Sequence, residues 1–335
     1  MKESLILAIE TSCDETAVAV IKNETEVLSN VLYSQIKEHQ EFGGVLPEVA
    51  SRIHVEKITY ILKQALKEAN VEPHDLTAIG VTYGPGLIGS LHVGLQAAKT
   101  LAWLYNKPLI GVHHIMGHIY ANRLVEEIQY PALALVVSGG HSELVWMEKE
   151  HQFEVIAQTA DDAVGEAYDK VARVLGIGYP GGPIIDKLAK QGKAHYQLSK
   201  IKPANDDEFS FSGIKSSIIQ LVEREQKAGR EIIVEDIAVA FQERALEQLL
   251  DKTKEVIQDK NPKHVLLAGG VAANSRLREL ITSLVQEFDS IKLTIPPLWC
   301  CTDNAAMIGV AAAMNYRYGR FSSLELGASS TSELM

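Results

Sequence analysis

The chain has 335 residues, of which 46% are hydrophobic and 22% are charged. This length predicts about two domains of roughly 100–200 residues each, and this composition excludes large-scale disorder. The formal net charge of −11 argues against a free-standing nucleic-acid binder, because contacts to phosphate require lysine and arginine.

Membrane and secretory classes are also disfavoured. No apolar run approaches the roughly 20 residues that a membrane-spanning helix needs. The apolar stretch that ends at Glu10 is too short for a signal-peptide core. Three cysteines, two of them adjacent at Cys300 and Cys301, do not form a disulfide framework. We therefore expect a cytoplasmic protein without membrane association.

The first half opens with a predicted hairpin. Strand Leu5–Glu10 leads through the small polar turn Thr11–Thr16 into a second apolar run, Ala17–Ile21. An amphipathic helix is predicted from Pro47 to about Asn70. The remaining predicted elements of this half are strand Ala78–Tyr83, the glycine-rich turn Gly84–Ser90, helix His92–Tyr105, strand Leu109–Val112 and a helix from about His113 to Glu126.

The second half repeats this plan with strand Ala132–Val137, turn Ser138–Ser142 and strand Glu143–Trp146. Both turns offer backbone N–H groups and hydroxyls with few side chains in the way, which is what an anionic ligand requires. The remaining predicted elements are helix Asp162–Leu175, a helix after the turn Gly176–Pro183, a loop at Asp206–Ser212, helices at about Ser216–Ala228 and Val234–Gln258, strand His264–Ala268, a helix from about Asn274 and a final helix, Ala305–Tyr316. Alternating strands and helices with two hairpins predict an α/β fold with two mixed sheets.

Two histidines mark a candidate metal site. His114 and His118 are four residues apart, so a helix places both imidazoles on one face, and neutral imidazole is a common ligand for zinc and iron. The spacing alone is not specific, and a capping or core histidine is the alternative. Asp303, at a predicted helix start, is the best candidate for the third ligand of an open site. Ile115 follows His114 where the zinc-protease signature has its general-base Glu, which disfavours peptide hydrolysis by that mechanism.

Glycines and acidic residues supply further candidates. The strand–glycine–helix junction Gly269–Asn274 would let a flat ring or a ribose approach the backbone, although any such junction can use two glycines. Asn274 can either cap the following helix or hydrogen-bond the ligand. The Walker pattern of P-loop proteins is absent from the sequence. The acidic candidates are Asp14 and Glu15 in the first turn, and Asp161, Asp162, Glu166 and Asp169 at the predicted helix Asp162–Leu175, where the last three share one face. Periodicity alone does not decide whether that face is solvated or binds a ligand.

Eight motifs occur in a characteristic order along the chain. They are Ile9–Thr16, Gly84–Gly89, His113–His118, Val137–His141, Tyr179–Pro183, Phe209–Gly213, Ala268–Asn274 and Cys301–Asn304. In this order they closely resemble the TsaD family, formerly called Gcp or O-sialoglycoprotein endopeptidase. The resemblance implies the actin/Hsp70/sugar-kinase fold, an α/β architecture with two ribonuclease-H-like domains around a nucleotide cleft. It implies an N-terminal lobe of residues 1–128, completed by roughly 303–335, and a C-terminal lobe of residues 129–302.

The resemblance also implies a transferase. It would move the threonylcarbamoyl group from threonylcarbamoyl-AMP to N6 of adenosine 37 in tRNAs that read codons beginning with A, forming t6A and releasing AMP. One divalent metal ion per subunit, iron or alternatively zinc, is implied with the ligands His114, His118 and Asp303. Asp14 and Glu15 match acidic positions associated with activity. The positions that match the family's adenylate-binding residues are Val136, Val137, Ser138, Gly139, Gly140, Asp169, Gly182, Asp186 and Asn274.

The resemblance to bacterial members of this family implies three partner proteins: the paralogue TsaB, the ATPase TsaE and a TsaC-type enzyme that supplies the adenylate. Because this chain is acidic, we expect tRNA binding to need basic surface from such partners. The rival interpretations are a phosphotransferase or ATPase of the same fold, a metalloprotease and a non-catalytic scaffold. A kinase is disfavoured because Glu10 stands where kinases of this fold carry a nucleotide-facing Asp, and because a histidine pair suits magnesium poorly.

Overall fold

The computed structural model describes residues 3–201 and 203–334. The strands are β1 (Leu5–Glu10), β2 (Glu15–Lys22), β3 (Glu26–Ser34), β4 (Ala78–Gly84), β5 (Leu109–His113), β6 (Ala132–Val137), β7 (Ser142–Met147), β8 (Glu154–Thr159), β9 (Glu208–Phe209), β10 (His264–Ala268) and β11 (Lys292–Thr294). The helices are α1 (Ile36–Gln40), α2 (Pro47–Ala69), α3 (Ile88–Leu104), α4 (His114–Tyr120), α5 (Val164–Leu175), α6 (Gly181–Ala189), α7 (Ser212–Lys227), α8 (Val234–Lys260), α9 (Ser275–Val285), α10 (Leu298–Cys301) and α11 (Ala305–Arg317). Two compact units result: the first combines the described residues up to 127 with 296–334, and the second lies within 128–295.

A five-stranded mixed sheet in the order β3-β2-β1-β4-β5 forms the centre of the first unit. Strands β1, β2 and β3 are antiparallel neighbours, whereas β4 runs parallel to β1 and β5 runs parallel to β4. The side chains of β1 and β2 are buried almost throughout. Nearly continuous apolar sequence is what a strand needs when helices cover both faces of its sheet.

Helices α2 and α3 cover one face of the first sheet. Alternate side chains of β1 and β2, including Leu7 and Val18, pack against apolar residues of these two helices. Proline in the first turn of α2 and a left-handed Asn70 after its last residue explain where that helix begins and ends. Among the residues that the structure describes, none of the helices combines the length and apolar character needed to cross a bilayer.

Helix α11 covers the opposite face of the first sheet and contacts β1, β2 and β4. Residues 305–315 of this helix are buried, and many of them are alanine, so the helix backbone lies close to the strands. Asn304 caps the helix, because its Oδ1 atom accepts a hydrogen bond from the Met307 backbone N–H at 3.0 Å. This cap fixes the chain immediately after Asp303.

The second unit is built around a six-stranded sheet in the order β11-β10-β6-β7-β8-β9. Strand β6 pairs with β7 as an antiparallel hairpin and with β10 in parallel. In the first unit, β1 likewise has an antiparallel neighbour, β2, and a parallel neighbour, β4. The two hairpins seen in the sequence therefore belong to two sheets of the same local design.

Several predicted boundaries are wrong. Helix α3 begins at Ile88 rather than at His92, and α4 ends at Tyr120, where a short 3-10 turn replaces the predicted continuation to Glu126. The predicted loop Asp206–Ser212 contains strand β9, and α7 begins at its last residue. Strands β3, β8 and β11 were not predicted, because their sequences mix polar with apolar residues and their side chains are largely half-buried or exposed.

The predicted acidic helix face of Asp162, Glu166 and Asp169 is also wrong, because α5 begins only at Val164. The hydroxyl of Thr159 donates a hydrogen bond to the Asp162 carbonyl oxygen at 2.6 Å, which holds Asp162 in the turn before the helix. The Asp162 carboxylate forms an ion pair with Lys170 at 2.6 Å. Asp162 therefore does not share a helical face with the other two acids.

We expect Gly80→Ala to destabilise the protein by about 1–3 kcal/mol, the usual cost of overpacking a core. A Cβ atom at Gly80 on β4 would lie 2.6 Å from the Cβ atom of Ala312, which is buried on α11. Chemical denaturation measures the difference in the free energy of unfolding. Gly327→Ala is the matched control, because an added Cβ there meets nothing within 4 Å. Identical unfolding curves for Gly80→Ala and the wild type would contradict this packing.

The side chain of Glu143, on β7, should make the stability of the folded protein depend on pH. Burial raises the pKa of Glu143 from 4.5 to about 7, so the folded chain holds this proton more tightly than the unfolded chain. The carboxyl therefore costs stability increasingly as the pH rises from about 4.5 to 7, and the full cost persists above pH 7. Glu143→Gln cannot ionise, and we expect its gain in unfolding free energy to grow from pH 5 to pH 8, reaching roughly 1–3 kcal/mol.

Denaturation at the two pH values tests this expectation, with Glu154→Gln on the neighbouring strand as the control, since the Glu154 side chain is 64% exposed. A Glu143→Gln effect that is the same at pH 5 and pH 8 would rule out the raised pKa.

Candidate functional site

The turn between β1 and β2 carries the predicted acidic residues Asp14 and Glu15. Asp14 is buried, and Glu15 is the first residue of β2, where its Oε1 atom accepts a hydrogen bond from the Ser34 hydroxyl at 3.1 Å. Burial, and then the charges of Asp14 and Asp303, raise the pKa of Glu15 well above its usual range. A carboxyl with a raised pKa exchanges protons closer to neutral pH, which suits acid–base chemistry.

Two histidines and an aspartate form a candidate metal site in the first unit. Helix α4 begins at His114, so His114 and His118 lie one turn apart, with ring centroids separated by 4.7 Å. The Oδ1 atom of Asp303 lies 3.5 Å from His114 Nε2 and 3.1 Å from His118 Nε2. One potential ligand atom from each of the three residues lies within 4.8 Å of the others. The structure thus brings together all three residues that were predicted as ligands.

Glu10, the last residue of β1, was not predicted as a site residue. Its carboxylate is fully buried and accepts hydrogen bonds from the Ser12 backbone N–H at 2.5 Å and from the Thr82 hydroxyl at 2.6 Å. Its Oε2 atom also lies 3.2 Å from His114 Nδ1. Because a carboxylate accepts, His114 Nδ1 donates, and this leaves His114 Nε2 directed to Asp303. The sequence did contain a signal for Glu10, which is a charged residue at the end of an apolar strand. Acids in such buried positions are almost always paired with another group.

The donor set fits a divalent cation. Burial lowers the pKa of His114, but the carboxylates of Asp303 and Glu10 outweigh burial and raise it to about 9, so this site attracts positive charge. Burial lowers the pKa of His118, which favours the neutral imidazole that binds metals. Within the described residues, the buried Nδ1 atom of His118 has no hydrogen-bond partner, and its Nε2 atom lies 3.1 Å from Asp303 Oδ1. Two imidazoles and one carboxylate match the open sites of zinc and iron.

The second hairpin carries the predicted phosphate-binding residues. The strand end Val136–Val137 is buried, and Ser138 closes the turn with two hydrogen bonds to the backbone of His141, at 2.8 and 3.0 Å. A Cβ atom added to Gly139 or Gly140 would meet nothing within 4 Å. These glycines therefore relieve no clash inside the protein, and their effect is to leave the backbone amides accessible.

Helix α5 meets this turn at its N-terminal end. The backbone N–H of Gly165 donates a hydrogen bond to the Ser138 carbonyl oxygen at 3.2 Å, and a Cβ atom at Gly165 would lie 2.5 Å from that oxygen. Glycine is needed here because the turn and the helix backbone are in direct contact. The positive end of the helix dipole adds to the preference of the turn for an anion.

Three other predicted residues of the second unit are linked through α6. Asp169, on α5, accepts a hydrogen bond from the backbone N–H of Gly181 at 2.6 Å, next to Gly182, where an added Cβ would meet nothing within 4 Å. Asp186 accepts hydrogen bonds from the Ser275 hydroxyl at 2.9 and 3.0 Å. The two aspartates therefore tie α6 to α5 at one end and to the start of α9 at the other.

Asn274 is engaged by the protein itself. Its Oδ1 atom caps α9 by accepting from the Leu277 backbone N–H at 2.9 Å, and its Nδ2 atom donates to Gln242 at 2.8 Å. Capping was one of the two roles that the sequence allowed for Asn274. Its role in binding adenylate stays a prediction, as do those of the other matched positions.

The motif Phe209–Gly213 is organised by Asp161, one of the acidic candidates, for which the sequence indicated no partner. Its carboxylate accepts four hydrogen bonds at 2.6 to 3.2 Å. Two come from the hydroxyls of Ser210 and Ser212, and two come from the backbone N–H groups of Phe211 and Ser212. These bonds satisfy the first donors of α7. The structure therefore gives the two serines of the motif a local partner.

Solved structures of remote sequence share this fold. The HypF protein of T. kodakarensis matches with a TM-score of 0.65 and 14% identity, covering 97% of this chain and 49% of that chain. Component A of the (R)-2-hydroxyglutaryl-CoA dehydratase of Acidaminococcus fermentans matches with a TM-score of 0.53 and 12% identity, covering 94% of this chain and 99% of that chain. The α/β fold is that of the actin/Hsp70/sugar-kinase class, as the sequence implied.

Much closer relatives exist in sequence. A protein of Bacillus thuringiensis (strain Al Hakam) is 54% identical over 329 residues, covering 98% of this chain and 96% of that protein. A protein of Bacillus subtilis (strain 168) is 52% identical over 319 residues, covering 95% of this chain and 92% of that protein. Both are named tRNA N6-adenosine threonylcarbamoyltransferase, and the family of that description matches residues 26–310. This chain belongs to the TsaD family of tRNA N6-adenosine threonylcarbamoyltransferases.

Proposed function

We propose that this chain transfers the threonylcarbamoyl group from threonylcarbamoyl-AMP to N6 of adenosine 37 in tRNAs that read codons beginning with A. The nitrogen would form a bond to the carbamoyl carbon, the bond between that carbon and the adenylate phosphate oxygen would break, and AMP would leave. The observation that carries the proposal is the cluster of His114, His118 and Asp303 in a member of this family.

His114, His118 and Asp303 would hold one divalent metal ion, iron or zinc, since nitrogen donors suit these metals better than magnesium. When bound, such an ion supplies Lewis-acid polarisation of a carbonyl group or a fixed point for the threonyl group. Glu10 would orient His114 by accepting from its Nδ1 atom, so that Nε2 is available as a ligand.

Residues of the second unit would hold the donor. The backbone N–H groups of Gly139 and Gly140, together with the N-terminus of α5, would bind the phosphate of threonylcarbamoyl-AMP. Val136, Val137 and Ser138, whose backbone is bonded within the sheet and the turn, would position those two glycines. Asp169, Gly182, Asp186 and Asn274 are the proposed contacts for the rest of the adenylate. AMP is already a good leaving group, so these residues need mainly to bind and orient the donor.

Asp14 and Glu15 would act on the attacking amine. The N6 group of adenine is a weak nucleophile because its lone pair is delocalised into the ring, and it must lose a proton as the new bond forms. We assign the acceptance of that proton to the Glu15 carboxylate. Its raised pKa makes it a stronger base than an ordinary glutamate.

The acidity of the chain bears on its partners. With a net charge of −11, the chain as a whole repels the phosphates of tRNA. We propose that a TsaB paralogue and a TsaE ATPase complete the active assembly, that a TsaC-type enzyme supplies the adenylate, and that the reaction takes place in the cytoplasm.

Supplied with threonylcarbamoyl-AMP, tRNA, TsaB and TsaE, the wild-type chain should form modified tRNA and AMP in equal amounts, whereas ATP alone should give little turnover. We expect Glu15→Gln to lower kcat by roughly 100-fold or more, since general-base catalysis contributes about 10²–10⁴-fold. Glu26→Gln, an exposed position at the start of β3, is the control and should match the wild type. Phosphorylation of a small molecule by the chain alone, or cleavage of a glycoprotein that depends on His114, would refute the transferase assignment.

Metal analysis after purification without chelators tests the ligand set separately. We expect His118→Ala to lose bound metal and to weaken metal affinity by more than the roughly 10–100-fold that an outer-shell partner is worth. His74→Ala is the matched control, because the His74 side chain lies in the first unit and is 74% exposed. Undiminished metal content in His118→Ala would show that the ion, if present, binds elsewhere.

A further inference from the structure

We propose that His54, on α2, is a positioning residue for the acidic turn that carries Asp14 and Glu15. This inference rests on the proposed function of those two acids. His54 lies outside the metal-ligand cluster and belongs to none of the eight ordered motifs. Its side chain is fully buried beneath the turn-bearing end of the first sheet's hairpin.

Three successive carbonyl oxygens of the turn accept hydrogen bonds from other parts of the first unit. The Leu87 backbone N–H donates to Ser12 O at 2.8 Å, and the Gln35 backbone N–H donates to Asp14 O at 3.0 Å. Between them, His54 Nε2 donates to Cys13 O at 2.9 Å. Two of the three donors are backbone groups. Among these three bonds, only the one from His54 comes from a side chain, so it can be removed by a substitution that leaves the backbone unchanged.

The second ring nitrogen of His54 also binds the turn. A carbonyl oxygen can only accept, so Nε2 carries the proton that bonds Cys13. Burial lowers the pKa of His54, which favours the neutral ring, so Nδ1 is deprotonated and accepts from the Thr16 hydroxyl at 2.7 Å. His54 is thus a neutral ring of defined tautomer that bridges the residue before Asp14 and the residue after Glu15.

This bridge restricts the two acids without touching them. Cys13 and Thr16 enclose Asp14 and Glu15, so fixing the Cys13 carbonyl and the Thr16 hydroxyl fixes the backbone from which both carboxylates project. A misplacement of about 1 Å in a catalytic group can cost about 100-fold in rate. The alternative is that His54 only stabilises the packing of α2 on the sheet, and the two roles differ in what they do to kcat.

The central variant is His54→Leu, which keeps a buried side chain of similar size and removes both hydrogen bonds. His54→Gln is the rescue variant, because its amide N–H₂ group can reach the Cys13 carbonyl in place of Nε2–H. The matched control is His264→Leu in the second unit. His264 is fully buried, and its ring also bonds a threonine hydroxyl, that of Thr294 at 2.7 Å, and a backbone N–H, that of Gln129 at 3.1 Å.

We expect His54→Leu to lower kcat by about 10–100-fold, with KM for threonylcarbamoyl-AMP and tRNA and the metal content as in the wild type. His54→Gln should recover most of kcat. His264→Leu should lose comparable unfolding free energy and keep kcat. If His54→Leu loses stability as His264→Leu does and keeps its kcat per folded molecule, His54 is only structural and the proposal is overturned.

A second variant decides the matter if His54→Leu does not fold. Thr16→Val preserves the shape of the side chain and removes the hydroxyl that Nδ1 accepts from, so it should lower kcat in the same direction, and an unchanged kcat would refute the bridge. Glu15→Gln separates the two levels of inference. Full activity in Glu15→Gln would defeat the assigned role of Glu15, whereas an inactive Glu15→Gln beside a fully active His54→Leu would defeat only the positioning role.

Discussion

The candidate metal site depends on the imidazole ring of His114, whose two nitrogen atoms each contact a carboxylate. Glu10 lies 3.2 Å from Nδ1 of His114, and Asp303 lies 3.5 Å from Nε2. Glu10 ends β1, His114 begins α4, and Asp303 precedes α11, so the contact joins three elements that are far apart in the chain. The packing of α11 on the first sheet fixes Asp303 in this arrangement. The small residues of that helix let it pack closely on the strands, and a shift of the helix would separate the aspartate from both histidines.

The two units share one local strand topology, but their hairpin turns present groups of opposite polarity. Each has an antiparallel hairpin whose first strand also pairs with a parallel strand. In the first unit the hairpin turn bears Asp14 and Glu15, and its carbonyls are tied down by surrounding donors. In the second unit the turn bears Gly139 and Gly140 and meets the N-terminus of α5. The first turn therefore presents negative charge, whereas the second presents N–H groups, although the backbone topology is the same.

The sequence predicted the parts of this structure that are locally encoded. Strands β1, β6 and β10 have the predicted bounds, because each is an apolar run with at most one polar residue, at its end. The pairing of His114 with His118 follows from helical spacing alone. Strand β3 was not predicted, since its mixed residues carry no clear period. Glu10 was missed for another reason: its partner His114 lies 104 residues further along the chain, and no local pattern reports such a contact. Asp303 was identified as the third ligand by the family resemblance, since its place at a predicted helix start made it only a candidate.

The balance of charge in the first unit favours a cation at the cluster of His114, His118 and Asp303. Glu10, Asp14, Glu15 and Asp303 act on one another electrostatically, while His114 and His118 are the nearby basic groups of the cluster. Burying several like charges is costly unless they are neutralised. Protons can do this in part, as the raised pKa values of Glu15 and His114 indicate. Neutralising Asp303 with a cation would also remove one of the charges that raise the pKa of Glu15, so the ligand set and the proposed base are coupled through the same carboxylate.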